Sequence, residues 1–268
     1  MNEQLVKEVD LISEWIKNQV VSAGKTKVIV GVSGGVDSAV ITGLCVKALG
    51  KENVIGAILP CNSSPKSKED ALKVIEKFGI AYWEHSSLDI AAEAVVRGLP
   101  IFNAVAHNKT VTGNIQSRLR MVALYALANI YDAIVCGTTN KAEALIGYYT
   151  KFGDGGVDIE PIAQFYKGEV REIARILGVP EVVITKAPTA DLGITSTDEE
   201  EISKIVGETC TYDTVDAILK SAIDGAEMPE NISDIQVAGI MGMLKRSEHK
   251  RNMPPAYERD YQDGNDNY

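Results

Sequence analysis

Short apolar runs alternate with segments of helical spacing along most of this chain. The short runs 28–32, 54–60, 81–85 and 133–137 are typical of strands, most of them buried. Between them, apolar residues recur at steps of three and four, and the first such segment covers about residues 3–20. Strands that alternate with helices predict an α/β fold, with a doubly wound, mainly parallel sheet flanked by helices.

The same spacing predicts the remaining helices. They should cover about 39–50, 67–78, 88–97, 112–129, 167–177, 213–221 and 232–244, and the acidic run 198–201 should begin a further helix. The helix that ends near Asn129 is apolar almost all the way round, so two of its sides should be covered. The sheet would cover one side. Either a second subunit covers the other, or the helix is a fully buried core element.

Length and charge narrow the class of protein. The 268 residues suffice for one domain with a large core, and no linker divides them, so we expect a single domain over 1–268. Residues 245–268 would form a basic, flexible C-terminal segment. The net charge of −10 argues against a nucleic acid partner. The polar start and the short apolar runs predict no signal peptide and no membrane contact, hence a cytoplasmic protein.

The four cysteines, at positions 45, 61, 136 and 210, lie far apart and form no Cys-x-x-Cys pair. This spacing argues against a zinc site or a redox motif. We expect all four to be reduced and buried.

A glycine-rich loop follows the first predicted strand. It reads Ser-Gly-Gly-Val-Asp-Ser over 33–38 and leads into a helix, so its backbone N–H groups and those of the first helical turn can bind an anion such as phosphate. Asp37 stands where the common ATPase loop has lysine. A carboxylate beside phosphates requires a cation between them, which predicts Mg²⁺. The loop resembles the pyrophosphate loop of the ATP pyrophosphatases, which cleave ATP to AMP and pyrophosphate.

Three other stretches carry candidate chemistry. Glu143 follows the fourth strand as Asp37 follows the first, so both carboxylates can meet at one sheet edge and hold one cation. The loop 147–158 combines glycines with charges of both signs. Lys167 begins a helix, where a cation opposes the helix dipole, and an anionic ligand nearby would explain it.

Arg118 and Arg120 lie on one helix, two positions apart, and therefore point to nearly opposite faces. One of them can address a given ligand, and the pattern does not decide which. Residues 245–251 form the densest basic patch, which suits either a solvated end or a ligand contact.

Six motifs in order resemble the family of ammonia-dependent NAD⁺ synthetases. They are GVSGGVDS (31–38), GNIQSRLRM (113–121), GTTNKAE (137–143), YTKFGDGGVDIEPI (149–162), PTADL (188–192) and EHKR (248–251). The resemblance implies an adenine nucleotide alpha-hydrolase fold and a cytoplasmic homodimer. It also implies a ligase that joins ammonia to deamido-NAD⁺ with ATP and Mg²⁺ and releases AMP and pyrophosphate. No glutaminase-sized domain is present, so ammonia would come from solution or from a separate glutaminase.

The resemblance also implies roles for individual residues. ATP would contact Gly31, Val32, Ser33, Gly34, Gly35, Val36, Asp37, Ser38, Thr138, Lys167 and Thr189. Deamido-NAD⁺, lying across the dimer interface, would contact Arg118, Lys151, Asp158, His249 and Lys250, which selects Arg118 over Arg120. Mg²⁺ would be held by Asp37 and Glu143. Asp37 and Lys167 would act in catalysis, with Asp154 or Asp158 as the proton acceptor.

The sequence departs from the family's pattern after PTADL. Residues 193–197 replace a Trp-x-Gly-Gln-like continuation, and 201–212 fit poorly, so the loop that covers the site should differ in length and ordering.

Two other functions remain open. A related ATP pyrophosphatase, such as a GMP synthetase subunit or a tRNA-thiolating enzyme, would share the first loop, although tRNA thiolation generally needs reactive cysteines and a basic surface. A non-catalytic ATP-binding module would have no use for Lys151, Asp158 or His249.

Overall fold

Four parallel strands form the centre of the protein. The computed structural model describes residues 3–85, 88–189 and 197–257. The strands are β1 (Lys27–Gly31), β2 (Val54–Ile58), β3 (Ala81–Glu84) and β4 (Ala133–Cys136), in the order β3-β2-β1-β4. Val28 lies opposite Val54 on one side and Ile134 on the other. The predicted parallel α/β fold is confirmed.

The helices follow the predicted alternation closely. Before β4 they are α1 (Glu3–Ser22), α2 (Val36–Leu49), α3 (Pro65–Phe78), α4 (Leu88–Arg97), α5 (Phe102–Ala106) and α6 (Lys109–Tyr131), with a 3₁₀ turn at Lys51–Asn53. After β4 they are α7 (Lys141–Ile146), α8 (Lys167–Ile176), α9 (Glu181–Ile184), α10 (Asp198–Val206), α11 (Tyr212–Asp224), α12 (Asp234–Arg246) and α13 (Glu248–Arg251). The pattern missed α5, α7, α9 and α13, which are too short to show a helical period.

Helices cover both faces of the sheet. Val28 and Val30 point to the face packed by α1, α2 and α8, whereas Ile29, between them, points to the face packed by α6. This alternation follows from the two-residue period of a strand. A third apolar cluster joins α7, α10, α11 and α12 beside the sheet.

Helix α6 is only partly covered within one chain. Val122 is 57% exposed and Ile130 is 75% exposed, although both are large apolar residues. The alternative of a fully buried core helix is therefore wrong for the single chain. The second apolar side of α6 faces away from the rest of the protein.

The chain order places a crevice between β1 and β4. From β1 the chain runs outward to β2 and β3, and then returns to the other side of β1 to form β4. Ligands of parallel α/β sheets bind beyond the carboxyl ends of the strands where the order reverses. The glycine-rich loop after β1 and the segment after β4 both lie at this position.

Two expectations from composition can be compared with the structure. All four cysteines are free and buried, as predicted. Within the described part of the chain, no helix is both long enough and apolar enough to span a bilayer. The divergent loop at 193–196, with 190–192 before it, lies outside the described residues, as do 258–268 of the predicted flexible tail.

The packing of α1 gives a direct test of the fold. Ile16 is completely buried in the apolar cluster that α1 shares with α2 and α8, so we expect Ile16→Ala to lower the free energy of unfolding by about 2–5 kcal/mol. Leu11, on the same helix, is 57% exposed, and Leu11→Ala should change it by less than about 0.5 kcal/mol. Urea unfolding followed by circular dichroism measures both values. Equal losses in the two variants would contradict this placement of α1.

Candidate active site

Hydrogen bonds from the serine residues of the glycine-rich loop fix its backbone conformation. The Ser33 N–H donates to Ser38 Oγ (3.2 Å), and the Gly35 N–H donates to Ser33 Oγ (3.2 Å). Ser38 Oγ in turn donates to the Gly35 carbonyl (3.0 Å). Gly35 immediately precedes α2, and it has no side chain that could cap the helix. The first N–H groups of α2 therefore point at the crevice as anion donors.

The loop also packs tightly against α3. Gly34 has a φ of +79°, and a Cβ atom there would lie 2.4 Å from the Ser67 carbonyl oxygen and 3.0 Å from Asp70 Cβ. Both the conformation and the close approach require glycine. The anion loop and the first turns of α3 are thus one rigid unit.

A buried lysine joins two carboxylates beside this loop. Lys167 Nζ donates to Asp37 Oδ2 (2.6 Å) and to Glu143 Oε1 (3.0 Å). The three residues come from the N-termini of α2, α7 and α8, and the Lys167 side chain is 2% exposed. Asp37 and Glu143 follow the ends of β1 and β4, and the two carboxylates meet there as expected. Lys167 has a counter-charge in the chain's own carboxylates, and the anionic ligand expected beside it stays a prediction.

Asn140 fixes the geometry of both carboxylates. Its amide Nδ2 donates to Asp37 Oδ1 (3.0 Å), while its Oδ1 accepts from the Glu143 N–H (3.0 Å). Glu143 Oε2 accepts from the Asn140 N–H (3.2 Å), which completes a capping box at the start of α7. One carboxylate therefore caps a helix and faces the lysine at the same time.

Tyr212, from the start of α11, closes this cluster. Its ring centroid lies 4.7 Å from Lys167 Nζ, and its hydroxyl donates to Glu143 Oε1 (3.4 Å). Burial raises the pKa of the Tyr212 hydroxyl well above its usual value, so it remains a donor. Neither Tyr212 nor Asn140 was identified from the sequence. The Asn-x-x-Glu spacing could have indicated Asn140 as a helix cap, whereas Tyr212 has no local signal.

The charges of the cluster are strongly coupled. Burial raises the pKa of Glu143 to about 7, because the effect of the Lys167 ammonium is weaker and Asp37 adds repulsion. Burial alone would lower the pKa of Lys167, but Asp37 and Glu143 together raise it above its usual value. The lysine therefore remains charged, and the protonation of Glu143 is sensitive to any further cation.

The cluster fits a Mg²⁺ ion that also binds phosphates. Asp37 and Glu143 offer hard carboxylate oxygens a short distance apart, and Mg²⁺ typically takes one or two carboxylates together with substrate phosphates. Within residues 3–85, 88–189 and 197–257, no group of three or more His, Cys, Asp or Glu side chains could hold a metal by itself. This donor set suits an ion that arrives with a nucleotide.

A cavity of about 520 Å³ opens at the cluster. Of the residues assigned from the sequence, it is lined by Gly31, Val32, Ser33, Gly35, Val36, Asp37, Ser38, Thr138, Glu143, Asp154, Lys167, Thr189 and Lys250. The structure places Gly34, Arg118, Lys151, Asp158 and His249 outside this lining. The residues expected to contact ATP therefore lie together, whereas most of those expected to contact the dinucleotide do not.

The structure brings Arg120, rather than Arg118, into the cavity wall. Arg120 Nε donates to the Leu59 carbonyl (3.0 Å), and its Nη2 donates to Ser63 Oγ (3.1 Å). Arg120 thus fastens α6 to the loop after β2. Arg118 donates to the Lys151 carbonyl at 3.3 Å, on the outer side of α6.

The two aspartates of the second loop have different surroundings. Asp158 accepts from the Val135 N–H (2.7 Å) and from the Tyr125 hydroxyl (2.9 Å), which ties the loop to β4 and α6. Asp154 accepts from Ser117 Oγ (2.6 Å) while it lines the cavity. Asp154 is therefore the aspartate of this loop that can face a ligand in the cavity.

The C-terminal segment is fastened to the second loop by two lysines. Lys250 Nζ donates to the carbonyl oxygens of Gly147 and Tyr149, at 2.7 Å each. Lys151 Nζ donates in the opposite direction, to the His249 carbonyl (2.5 Å). The basic patch is thus at least in part a structural clamp.

Glu160 is a charged residue at the site that the sequence did not single out. The Gly137 N–H donates to the Ile159 carbonyl (2.8 Å), so residues 158–160 run beside the end of β4. Glu160 Oε2 accepts from the Thr139 N–H (3.1 Å), and a Cβ atom at Gly137 would lie 2.5 Å from its carboxylate oxygens. Burial raises the pKa of Glu160 to about 8 despite the bond from Thr139.

A parallel sheet with a glycine-rich loop at its switch point defines an α/β fold of the nucleotide-binding class. The family model described as NAD synthase matches residues 8–254. The NH₃-dependent NAD⁺ synthetase of Methanocaldococcus jannaschii is 39% identical over 268 residues (96% of this chain, 98% of that protein). That of Thermoplasma volcanium is 41% identical over 249 residues (92% and 96%).

Solved structures agree. NMN synthetase from Francisella tularensis aligns with a TM-score of 0.82 at 33% identity, covering 96% of this chain and 99% of that one. The NH₃-dependent NAD synthetase from Campylobacter jejuni aligns at 0.78 and 26%, covering 95% and 99%. The chain belongs to the NAD synthase family.

Glu160 provides a pH test of the site. The folded chain binds a proton at Glu160 that the unfolded chain releases between pH 4.5 and about 8, so this residue lowers the free energy of unfolding as pH rises through that window. We expect Glu160→Gln to lose this slope when unfolding is measured by urea titration at several pH values without Mg²⁺ or nucleotide. Identical slopes for wild type and Glu160→Gln would contradict the raised pKa.

Proposed function

We propose that this enzyme amidates deamido-NAD⁺ with ammonia, consuming ATP and releasing AMP and pyrophosphate to yield NAD⁺. It is a ligase of the NAD synthase family, and its NH₃-dependent NAD⁺ synthetase relatives match it over nearly their whole length. One observation in the structure carries the proposal. Asp37, Glu143 and Lys167 meet beside an anion loop in one cavity.

The first step activates the nicotinate carboxylate. A carboxylate oxygen attacks the α-phosphorus of ATP, the bond from phosphorus to the bridging oxygen breaks, and pyrophosphate leaves with that electron pair. The N–H groups of the loop and the Lys167 ammonium stabilise the charge that develops on the phosphates. Asp37 and Glu143 would hold Mg²⁺, which supplies further positive charge to the same oxygens. The protein thus contributes mainly position and electrostatics.

The second step forms the amide. Ammonia attacks the acyl carbon of the mixed anhydride, the bond from carbon to the AMP oxygen breaks, and a proton must leave the nitrogen. We assign this proton to Asp154, because it lines the cavity. Asp158 has both carboxylate oxygens bonded to Tyr125 and Val135, which suits a positioning role.

A homodimer would allow the residues assigned to deamido-NAD⁺ that lie outside the cavity to contact the substrate. Arg118, Lys151 and His249 lie outside the single-chain cavity, so their proposed role requires a binding site that extends beyond it. Exposed apolar residues cluster on α4, α5 and α6, which contact one another. The most exposed are Ile90 (66%), Val122 (57%) and Ile130 (75%). We assign this surface to a second copy of the chain, since a patch of this kind marks an interface.

Ammonia would come from solution or from a separate glutaminase. The four free, buried cysteines suit a reducing compartment, which supports a cytoplasmic location for the enzyme.

The structural match to an NMN synthetase supports a second candidate reaction. That protein is 33% identical to this chain, against 26% for the Campylobacter NAD synthetase. Amidation of nicotinate mononucleotide would use the same carboxylate and the same ATP chemistry. Nicotinate mononucleotide lacks the adenylate half of deamido-NAD⁺, so it would need fewer contacts with the protein.

The reaction can be tested with a choice of acceptors. Protein, MgATP and ammonium are mixed with deamido-NAD⁺, nicotinate mononucleotide or xanthosine monophosphate, and the amide product and AMP are quantified by chromatography. We expect NAD⁺ and AMP in equal amounts. NMN formed faster than NAD⁺ would favour the second candidate, and GMP formation would overturn both.

Charge-removing variants extend this assay. Asp37→Asn and Glu143→Gln should each reduce pyrophosphate release by at least about 10²-fold, because the lost carboxylates would hold the Mg²⁺ that neutralises and positions the phosphates. Asp10→Asn, at an exposed position of α1, serves as a control and should retain normal rates. Normal rates in both site variants would contradict the assigned roles.

The dimer assignment has its own measurement. Val122→Glu with Ile130→Glu places two charges on the proposed interface and should convert the dimer to monomer in sedimentation velocity. Leu11→Glu introduces a charge at an exposed position of α1, outside the proposed interface, and should leave the dimer intact. A wild-type protein that sediments as a monomer would contradict the proposal.

A further inference from the structure

Lys186 is a cation in the cavity wall with no role in the reaction described so far. It lies between α9 and Thr189, and its side chain is 18% exposed. It lines the same cavity as Asp37 and Lys167. A lysine held at the wall of an anion-binding cavity requires an explanation.

Its partner in the chain is a fully buried carboxylate on α3. Lys186 Nζ lies 3.2 Å from Asp70 Oδ2, and it donates to Ser67 Oγ at 3.5 Å. Asp70 Oδ1 is already paired with Lys73 Nζ at 2.9 Å, on the more exposed side of α3. One carboxylate therefore has two ammonium groups, and the trio has a net charge of +1.

This extra charge lies next to the anion loop. Gly34 packs directly on the Ser67 carbonyl and on Asp70 Cβ, the two residues that also hold the Lys186 ammonium. Lys167 is joined to the other end of the loop through Asp37. The loop is thus flanked by one lysine on its α3 side and one on its α8 side.

The charge balance favours a phosphate role for the α3 side. Asp37, Glu143 and Lys167 together carry a net charge of −1 when both carboxylates are ionised. A departing pyrophosphate gains negative charge as the bond to the α-phosphorus breaks, so it requires cations that are not already neutralised. The trio around Asp70 supplies such a charge.

We propose that Lys186 binds the β- and γ-phosphates of ATP and stabilises the pyrophosphate as it leaves. This inference rests on the proposed function, because it takes ATP as the occupant of the loop. Lys186 turns from Asp70 toward the phosphates, while Lys73 retains the carboxylate. Asp70 positions Lys186, and Lys186 itself touches the substrate.

The test compares the two lysines that share Asp70. Binding of inorganic pyrophosphate with Mg²⁺ to the full chain is measured by calorimetry, together with KM for ATP and for deamido-NAD⁺. Lys186→Met should weaken pyrophosphate binding and raise the KM for ATP by about tenfold or more, as expected for a lost charge-assisted bond. Lys73→Met removes the outer partner of the same carboxylate, so Asp70 should hold Lys186 more tightly; this variant should weaken pyrophosphate binding by clearly less than Lys186→Met does, because Lys186 itself remains.

A second variant separates the loss of a direct phosphate contact from the effect of leaving the Asp70 carboxylate without its Lys186 partner. The double variant Asp70→Asn with Lys186→Met has no carboxylate at position 70 that would need an ammonium partner. If pyrophosphate binding stays weak in this variant, the result supports direct contact between Lys186 and the phosphates. Recovery of wild-type binding in this double variant would show that stranding Asp70 caused the loss, and would overturn the proposal.

The outcomes also distinguish this assignment from the proposed reaction. Normal pyrophosphate binding by Lys186→Met would overturn the role of Lys186 and leave the reaction standing. A wild-type chain that binds no pyrophosphate would overturn the reaction and the role of Lys186 together.

Discussion

The buried ammonium of Lys167 is the contact on which the site depends. It lies between Asp37 and Glu143, which are more than 100 positions apart in the chain, and without it two carboxylates would face each other in a buried position. A buried ion pair of this kind contributes little net stability, because desolvation offsets the attraction. Its effect is to fix the N-termini of three helices relative to one another. The anion loop, α7 and α8 therefore present their polar groups to one crevice.

Lys167 has one role in the site without ligand and another when ATP is bound. Lys167 offsets one of the two carboxylate charges when no phosphate is present, and it can donate to phosphate oxygens when a further cation takes over that role. Burial raises the pKa of Glu143, and Asp37 adds repulsion to it. Mg²⁺ would supply positive charge both to the carboxylates and to the phosphates of a nucleotide, so binding of the metal and of ATP should reinforce each other.

The fold could be predicted from the sequence because its signals are local. Strands such as β1 and β2 are short, fully apolar runs, and the chemistry-bearing residues Asp37 and Glu143 directly follow strands whose ends must share an edge. Tyr212 and Lys186 could not be found in this way, and Arg120 could not be chosen over Arg118 as the one that reaches the cavity. Each reaches the cavity through a contact with a distant segment, which no periodicity records. For Lys167 the sequence showed an unusual cation at a helix start, but its two carboxylate partners were visible only in three dimensions.

The order of the charged residues along the chain has a consequence for synthesis on the ribosome. Asp37 and Glu143 are both made before Lys167, which follows Glu143 by 24 residues and Asp37 by 130. Until that lysine emerges, the contact that joins the N-termini of α2, α7 and α8 cannot form. All four strands precede α8 in the chain, so the sheet can pair on the ribosome before the charged cluster at its edge is complete.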